Sequence, residues 1–300
     1  MEYIEAKHML TPTQDKLWFG TDYTMNIYKG CCHGCIYCDS RSRCYGVIEF
    51  DRVKAKKDAL KLLQKELSSK QKKGIIGCGS MSDPYNPFEE ELRLTRGSLE
   101  LMHDYGFGVD ITTKSPLVVR DIDILQNIKT HSPVICGITI ITGDDALSKK
   151  IEPNAACSTE RFKALKALAD AGIYCGVLLT PILPHITDTE ENITYIIHKA
   201  KEAGARFIYP TMGVTLRDNQ REYFYSQLDK KFPGLREVYV KEYGESYYCG
   251  TKNSVHLYEV LQRECKKKGI LYNMQQIVSA CKQQYEFDQI SFFDHVDLFD

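Results

Sequence analysis

The sequence predicts an α/β fold, a partial (β/α)6 TIM-like barrel with a helical C-terminal extension, on three observations. Short apolar runs alternate with amphipathic helical stretches between residues 24 and 210, at about the thirty-residue length of a βαβ unit. The runs are apolar at nearly every position, so each strand is expected to be buried on both faces, as in a parallel sheet. Counting gives six βα units over about 190 residues, fewer than the eight that close a full barrel.

Residues 1–22 carry Pro12, Trp18, Phe19 and Gly20 and are expected to form an irregular strap across the barrel. A first strand at 24–29 runs into a cysteine-rich loop at Gly30. Asp51 is expected to start a helix through about Ser69, with Val53, Leu60, Leu63 and Leu67 as its apolar stripe and lysines on the wet face. Further strands are read at Gly74–Gly79, Gly108–Thr113, Val134–Ile141, Ile173–Thr180 and Arg206–Pro210. Helices are expected near 89–104, 119–129, 158–171 and 188–203, the last opened by the capping-box pattern Thr187-x-x-Glu190.

Beyond residue 216 the pattern turns helical, at 217–230, 235–243 and 254–268. The third of these ends in Lys266-Lys267-Lys268-Gly269, cations at the negative helix end followed by a glycine cap. A helix near 274–284 and an acidic, phenylalanine-rich tail follow. The expected organisation is a strap (1–22), a barrel (23–215), a helical cap packed on it (216–284) and the tail (285–300).

With 300 residues and 43% hydrophobic content, the chain can bury a large core. A net charge of −1 gives no global pull on nucleic acid, so any such contact falls to local basic patches. No apolar run reaches bilayer-spanning length and no basic-apolar leader opens the chain, so a soluble, cytoplasmic protein without membrane partners is expected. Twelve cysteines suit a disulfide framework only in a shorter, core-poor secreted chain. Cys136, Cys175, Cys265 and Cys281 sit singly in apolar runs and read as buried small hydrophobes.

Cys31, Cys35 and Cys38 are different. They form C-x-x-x-C-x-x-C on one short loop, with Tyr37 before the last cysteine. Three thiolates can hold three irons of a cubane cluster whose usual complement is four cysteines. As in a catalytic zinc site, incomplete ligation leaves a position open for a substrate or cosubstrate. The spacing therefore points to a [4Fe–4S] cluster whose fourth iron chelates S-adenosylmethionine. The alternative is a structural zinc site with Cys32, His33 or Cys44 as fourth ligand, although the sequence has no second paired-ligand knuckle. His33 reads as a loop-fixing residue, and Cys44 as a spare cysteine or a thiol near the site.

Barrel active sites lie at the C-terminal ends of the strands. The residues there are polar: Ser80-Met81-Ser82-Asp83, Thr112-Thr113-Lys114, Thr139–Thr142, Thr180-Pro181 and Tyr209-Pro210-Thr211. S-adenosylmethionine needs a cation for its carboxylate, hydroxyls or backbone groups for its amine and ribose, and an apolar slot for adenine. Lys114, Ser82, Thr139 and the Ile182–Leu183 region are the candidates, with Asp83 on the same rim.

The loop resembles the radical S-adenosylmethionine superfamily. Together with Gly79–Pro84, Thr112–Lys114 and Glu152-Pro153, the stretch from Tyr23 to Arg41 is similar to the spore photoproduct lyase-like (DNA repair photolyase-like) branch, a likeness running from about Lys7 to the C-terminus. The resemblance implies a partial barrel, a [4Fe–4S] cluster and reductive cleavage of S-adenosylmethionine to a 5′-deoxyadenosyl radical that abstracts a substrate hydrogen. It implies an electron donor such as flavodoxin or ferredoxin, a nucleic-acid substrate with DNA-lesion chemistry, and Ser82, Lys114 and Thr139 at cosubstrate-binding positions. The departure is at Ser80, where the lyase carries a hydrogen-donor cysteine. A serine O–H bond is too strong to replace a thiol in that role. Cys78, two residues earlier and on the same strand face by the period-2 rule, is the candidate substitute, or else a core cysteine.

Three further expectations complete the reading. RNA, a peptide or a small metabolite is the alternative substrate for the same chemistry, and a zinc-stabilised binding protein without turnover is the alternative of another class. Gln289-Ile290-Ser291-Phe292-Phe293 resembles the pentapeptide by which bacterial repair and replication proteins dock on the DNA sliding clamp, unless the phenylalanines fold back on the barrel.

Overall fold

The computed structural model describes residues 1–14 and 18–290. Its centre is a sheet of six parallel strands: β1 (Tyr23–Met25), β2 (Ile75–Cys78), β3 (Gly108–Thr113), β4 (Val134–Thr139), β5 (Tyr174–Leu179) and β6 (Phe207–Pro210). The spatial order is β6-β5-β4-β3-β2-β1, with the short strand Leu10–Pro12 antiparallel at the free edge of β1. Register runs through Met25↔Cys78, Cys78↔Ile111, Ile111↔Cys136 and Cys136↔Cys175. β1 and β6 do not pair, so the sheet is an open arc and not a closed barrel.

The outer face of the arc is packed by helices Ala59–Ser69, Leu94–Asp104, Ile122–Lys129, Ser158–Asp170 and Glu190–Glu202. Each turns a stripe at i, i+3, i+4 spacing inward, such as Leu63 and Leu67, or Ile193, Ile196, Ile197 and Ala200. These side chains and the outward residues of the strands form one continuous core. A second cluster, Phe19, Ile135, Leu178, Phe207, Ile277 and Cys281, fills the arc from within. Its Phe19 belongs to the N-terminal segment, and Ile277 and Cys281 belong to the last helix, Met274–Ile290.

Several local expectations need correction. No helix starts at Asp51. Lys54–Lys56 is a strand, parallel to Glu2–Ile4 and antiparallel to Tyr28–Lys29, and the helix begins only at Ala59. The reason lies in the alternation there: Val53 and Ala55 are buried while Lys54 and Lys56 are half-buried, the period of a strand. The expected strand at 24–29 divides between two sheets. The cap of Glu190–Glu202 is Thr189, whose hydroxyl accepts from Asn192 N, while Thr187 accepts from Leu183 N.

Helix Asp145–Ile151 and the two-stranded ribbon of Gly213–Thr215 with Tyr248–Gly250 were not expected. The last helix runs past residue 284 to Ile290, while Ser291–Phe293 of the clamp-like pentapeptide, with the rest of the tail, lie outside the described residues. No described helix is long and apolar enough to cross a membrane.

Candidate active site

The cysteine loop is fixed to the barrel by its backbone. Cys31 N donates to Phe50 O at 2.8 Å, Ile36 N to Ile151 O at 3.0 Å, and Asn154 N to His33 O at 3.1 Å. Asn154 Nδ2 also donates to Cys32 O at 2.9 Å. Gly34 lies at φ +71°, and a Cβ there would meet Pro153 Cγ at 3.1 Å, so this position needs glycine on both counts. The segment Ile151–Asn154 thus clamps the loop from outside.

Beneath the clamp is a buried charge network. The Tyr37 hydroxyl donates to Glu152, and Glu152 pairs with Arg161 at 2.7 Å. Arg161 Nη1 donates to Thr139 O at 3.0 Å and its Nε to Ala156 O at 2.8 Å. The network therefore couples the cysteine loop to the end of β4. From the C-terminal side, the buried Gln220 donates to both Tyr37 O (3.1 Å) and Thr215 O (2.8 Å), tying the loop to helix Asp218–Lys231.

Cys31, Cys35 and Cys38 line one cavity of about 350 Å³ at the C-terminal ends of the strands. Ser80, Ser82, Asp83, Lys114 and Thr139 line it too, so of the polar residues and cysteines singled out for catalysis, cosubstrate binding or metal all but one converge there. The exception is Cys78. It is 4% exposed, packed in the main core and absent from the cavity wall. The period-2 argument fails because the strand ends at Cys78 and Gly79 turns at φ +101°, which no side chain could follow: a Cβ there would lie 2.0 Å from Thr112 O. Ser80 therefore faces the cavity and Cys78 does not. Ile182 and Leu183 are likewise wholly buried and off the wall, and Leu178, Pro181 and Val214 supply its apolar part.

Asp83 organises the rim. Its carboxylate accepts from the Thr113 hydroxyl (2.6 Å), Tyr85 N (2.9 Å) and Lys114 N (2.8 Å), and His33 Nδ1 stands 3.4 Å away. Its oxygens hold β3 and the cysteine loop in place instead of reaching into the cavity. Ser82 donates to Tyr28 O at 2.8 Å. Lys114 lies with Nζ 5.7 Å from the centre of the Tyr37 ring, with no hydrogen-bond partner for Nζ among the described residues. Burial works against the lysine's charge, but Cys35, Glu152 and Asp83 outweigh it and its pKa is raised. His33 is pushed down by burial, against the pull of Asp83.

Burial pushes the Cys31 thiol up to about 12 and raises Cys35 and Cys38 as well. Such thiols bind metal with release of their protons. Three of them on one cavity wall, with the Lys114 cation on the same cavity, fit a cubane cluster open toward a carboxylate-bearing cosubstrate. They do not fit a zinc knuckle. Cys32 lines a separate outer groove, His33 is turned to Asp83, and Cys44 lies 3.2 Å from an Arg217 nitrogen. Among the described residues no three His, Cys, Asp or Glu side chains close on a single ion. Arg161, Asn154 and Gln220 were missed by sequence reasoning. For Arg161 a signal existed, since it shares the buried stripe of Ala164, Leu165 and Leu168.

Comparison with known proteins bears on the same region. A family model for the radical SAM superfamily matches residues 25–197. An uncharacterized protein of Methanocaldococcus jannaschii is 36% identical over 237 residues, 78% of this chain and 85% of that protein. One of Mycobacterium tuberculosis is 28% identical over 236 residues, 76% of this chain and 68% of that protein. Among solved structures, a mutant spore photoproduct lyase with bound AdoMet and dinucleoside spore photoproduct aligns with a TM-score of 0.64 at 14% identity, over 90% of this chain and 81% of that one. At that identity the likeness is one of fold.

Proposed function

The chain belongs to the radical SAM superfamily, and from that premise we propose that it abstracts a hydrogen from a nucleic-acid substrate, with a DNA lesion as the first candidate. Its cofactors are a [4Fe–4S] cluster and S-adenosylmethionine. When bound, they would supply a 5′-deoxyadenosyl radical to the cavity. The observation that carries the reading is the convergence of Cys31, Cys35, Cys38 and Lys114 on one cavity.

The chain's own residues then have distinct tasks. The three thiolates hold the cluster. Lys114 Nζ, with no hydrogen bond to give up among the described residues, binds the cosubstrate carboxylate by a charge-assisted hydrogen bond. Ser82 and Thr139 offer hydroxyls to its polar groups, and the Glu152–Arg161 pair holds both the loop and the end of β4.

The nucleic-acid assignment is supported by the fold likeness, over 90% of this chain, to a spore photoproduct lyase solved with a dinucleoside spore photoproduct. Carbon–carbon bond reversal as in spore photoproduct lyase is less well supported. Among the described residues the only cysteines on the cavity wall are the three cluster ligands, and Ser80 stands where a thiol donor would be needed. This favours a reaction that takes its last hydrogen from outside the protein's thiols, and it keeps RNA, a peptide or a small metabolite as the second reading. A flavodoxin- or ferredoxin-type protein is the proposed electron donor.

Anaerobic purification tests the reading. A brown protein with iron and sulfide that yields 5′-deoxyadenosine on reduction is the expected result, and a colourless zinc protein would overturn it. Transfer of deuterium into 5′-deoxyadenosine from deuterated DNA, and not from RNA or peptides, would establish the substrate class.

A further inference from the structure

The one tryptophan of the chain, Trp18, stands on the wall of the same cavity. It is reached by a tight turn in which Phe19 and Gly20 lie at φ 44° and 64°, closed by Thr21 N and Oγ1 donating to Trp18 O at 3.1 Å. The turn is anchored at three points. Phe19 is wholly buried inside the arc, Phe19 N donates to Met274 Sδ at 3.3 Å, and Lys282 Nζ donates to Gly20 O at 3.2 Å.

The indole itself is braced by edge contacts. Its centroid lies 5.2 Å from that of Phe19 and 5.4 Å from that of Tyr209, both at 89°. Even so, 38% of the residue remains exposed, and its N–H has no hydrogen-bond partner among the described residues. A rigid aromatic surface held open toward a cavity otherwise rich in hydroxyls is pre-organised for stacking, with little ordering left to do on binding. Along the sheet, Lys114 directly follows β3, while Trp18 leans on Tyr209 of β6, at the edge of the sheet. The cation suited to the cosubstrate carboxylate and the aromatic surface thus belong to different parts of the wall.

We propose that Trp18 is the substrate platform of this site, its indole stacking on a planar heteroaromatic ring of the substrate, a nucleobase. The proposal rests on the nucleic-acid reading above and assigns that reading a residue. Aromatic side chains stack on every base, so the platform gives affinity without choosing a sequence.

The test uses the anaerobically reconstituted holoenzyme and equilibrium dialysis with three probes: S-adenosylmethionine, thymidylyl-(3′→5′)-thymidine, and an abasic dinucleotide of the same charge. Wild type is expected to hold the thymine dinucleotide about tenfold or more tighter than the abasic one. Trp18→Leu should abolish that difference and Trp18→Phe keep most of it, with affinity for S-adenosylmethionine changed less than twofold in both. Irradiation of the wild-type holoenzyme with a 5-iodouracil dinucleotide should cross-link Trp18, read by peptide mass, a result that does not depend on any variant folding. The proposal is overturned if wild type ignores the base, if Trp18→Leu binds the dinucleotide normally or loses S-adenosylmethionine instead, or if the cross-link falls elsewhere. Failure of the nucleic-acid reading shows separately, as no transfer of deuterium into 5′-deoxyadenosine from deuterated DNA by the reduced wild type.

Discussion

Arg161 and Glu152 meet at 2.7 Å with both side chains out of solvent, the guanidinium wholly buried and the carboxylate 1% exposed. Burial alone would raise the Glu152 pKa. Arg161 and Lys114, with the Tyr37 hydroxyl, outweigh it and hold the carboxyl below its ordinary range. A charge pair this deep persists only while both members are present.

Glu152→Gln therefore leaves a buried guanidinium uncompensated and should cost about 3–5 kcal/mol in chemical denaturation. The double variant Glu152→Gln/Arg161→Met should recover much of that loss, because it removes both charges together. Since the folded-state pKa of Glu152 is lowered, its contribution is present above the ordinary unfolded carboxylate range and fades as pH falls through the folded value. The acid limb of the wild-type stability curve should be shallower in Glu152→Gln.

Lys114→Ala should weaken S-adenosylmethionine binding by roughly tenfold to a hundredfold, the worth of a hydrogen bond to a charged group. Iron content should stay at the wild-type level, since Lys114 is not a ligand. Equilibrium dialysis with iron analysis on the same sample reads both.

Single alanine variants of Cys31, Cys35 and Cys38 should each lose the brown chromophore, whereas Cys44→Ala and Cys78→Ala should keep it. Cys78→Ala should cost about 1 kcal/mol of stability for a small core cavity. Its 5′-deoxyadenosine yield should match wild type within twofold, because the sulfur is walled off from the site.

Asp110 in β3 is 2% exposed, with one carboxyl oxygen lacking a hydrogen-bond partner among the described residues. Burial raises its pKa well above the ordinary value. The sign is opposite to that of Glu152: stability linked to Asp110 is full below the unfolded-state pKa and declines as pH rises toward the folded value. Asp110→Asn, which cannot ionise, should flatten the pH dependence of melting above the ordinary carboxylate range, gaining most at the alkaline end.

Five of the six parallel strands, all but β1, were readable to within two residues because burial on both faces leaves an unbroken apolar run, as in Val134–Thr139. The cysteine spacing was readable because its chemistry is local. The three-residue strands were not. Lys54–Lys56 exists because Glu2–Ile4 and Tyr28–Lys29 flank it, and Gly213–Thr215 because Tyr248–Gly250 returns to it. Pairing between distant segments leaves little trace in a segment this short. The side on which Cys78 and Ser80 face hinged on the backbone of one residue, Gly79, which a two-residue period cannot anticipate. Arg161 was hidden by its type, an arginine inside a helix where a wet surface is the ordinary expectation.

The Trp18–Gly20 turn sits just ahead of β1 and leans on Phe207 and Tyr209 of β6, so it spans the gap between two strands that do not pair with each other. A ring of eight strands has a bore fixed by its hydrogen bonds. An arc drawn together by a three-residue clasp has a bore fixed by side-chain packing, which changes cheaply. Substitutions in the clasp, or in the last helix that grips it, can widen or narrow the mouth while the cysteines, Lys114 and the rim stay in register. Such a chain can change what it admits without relearning how it reacts.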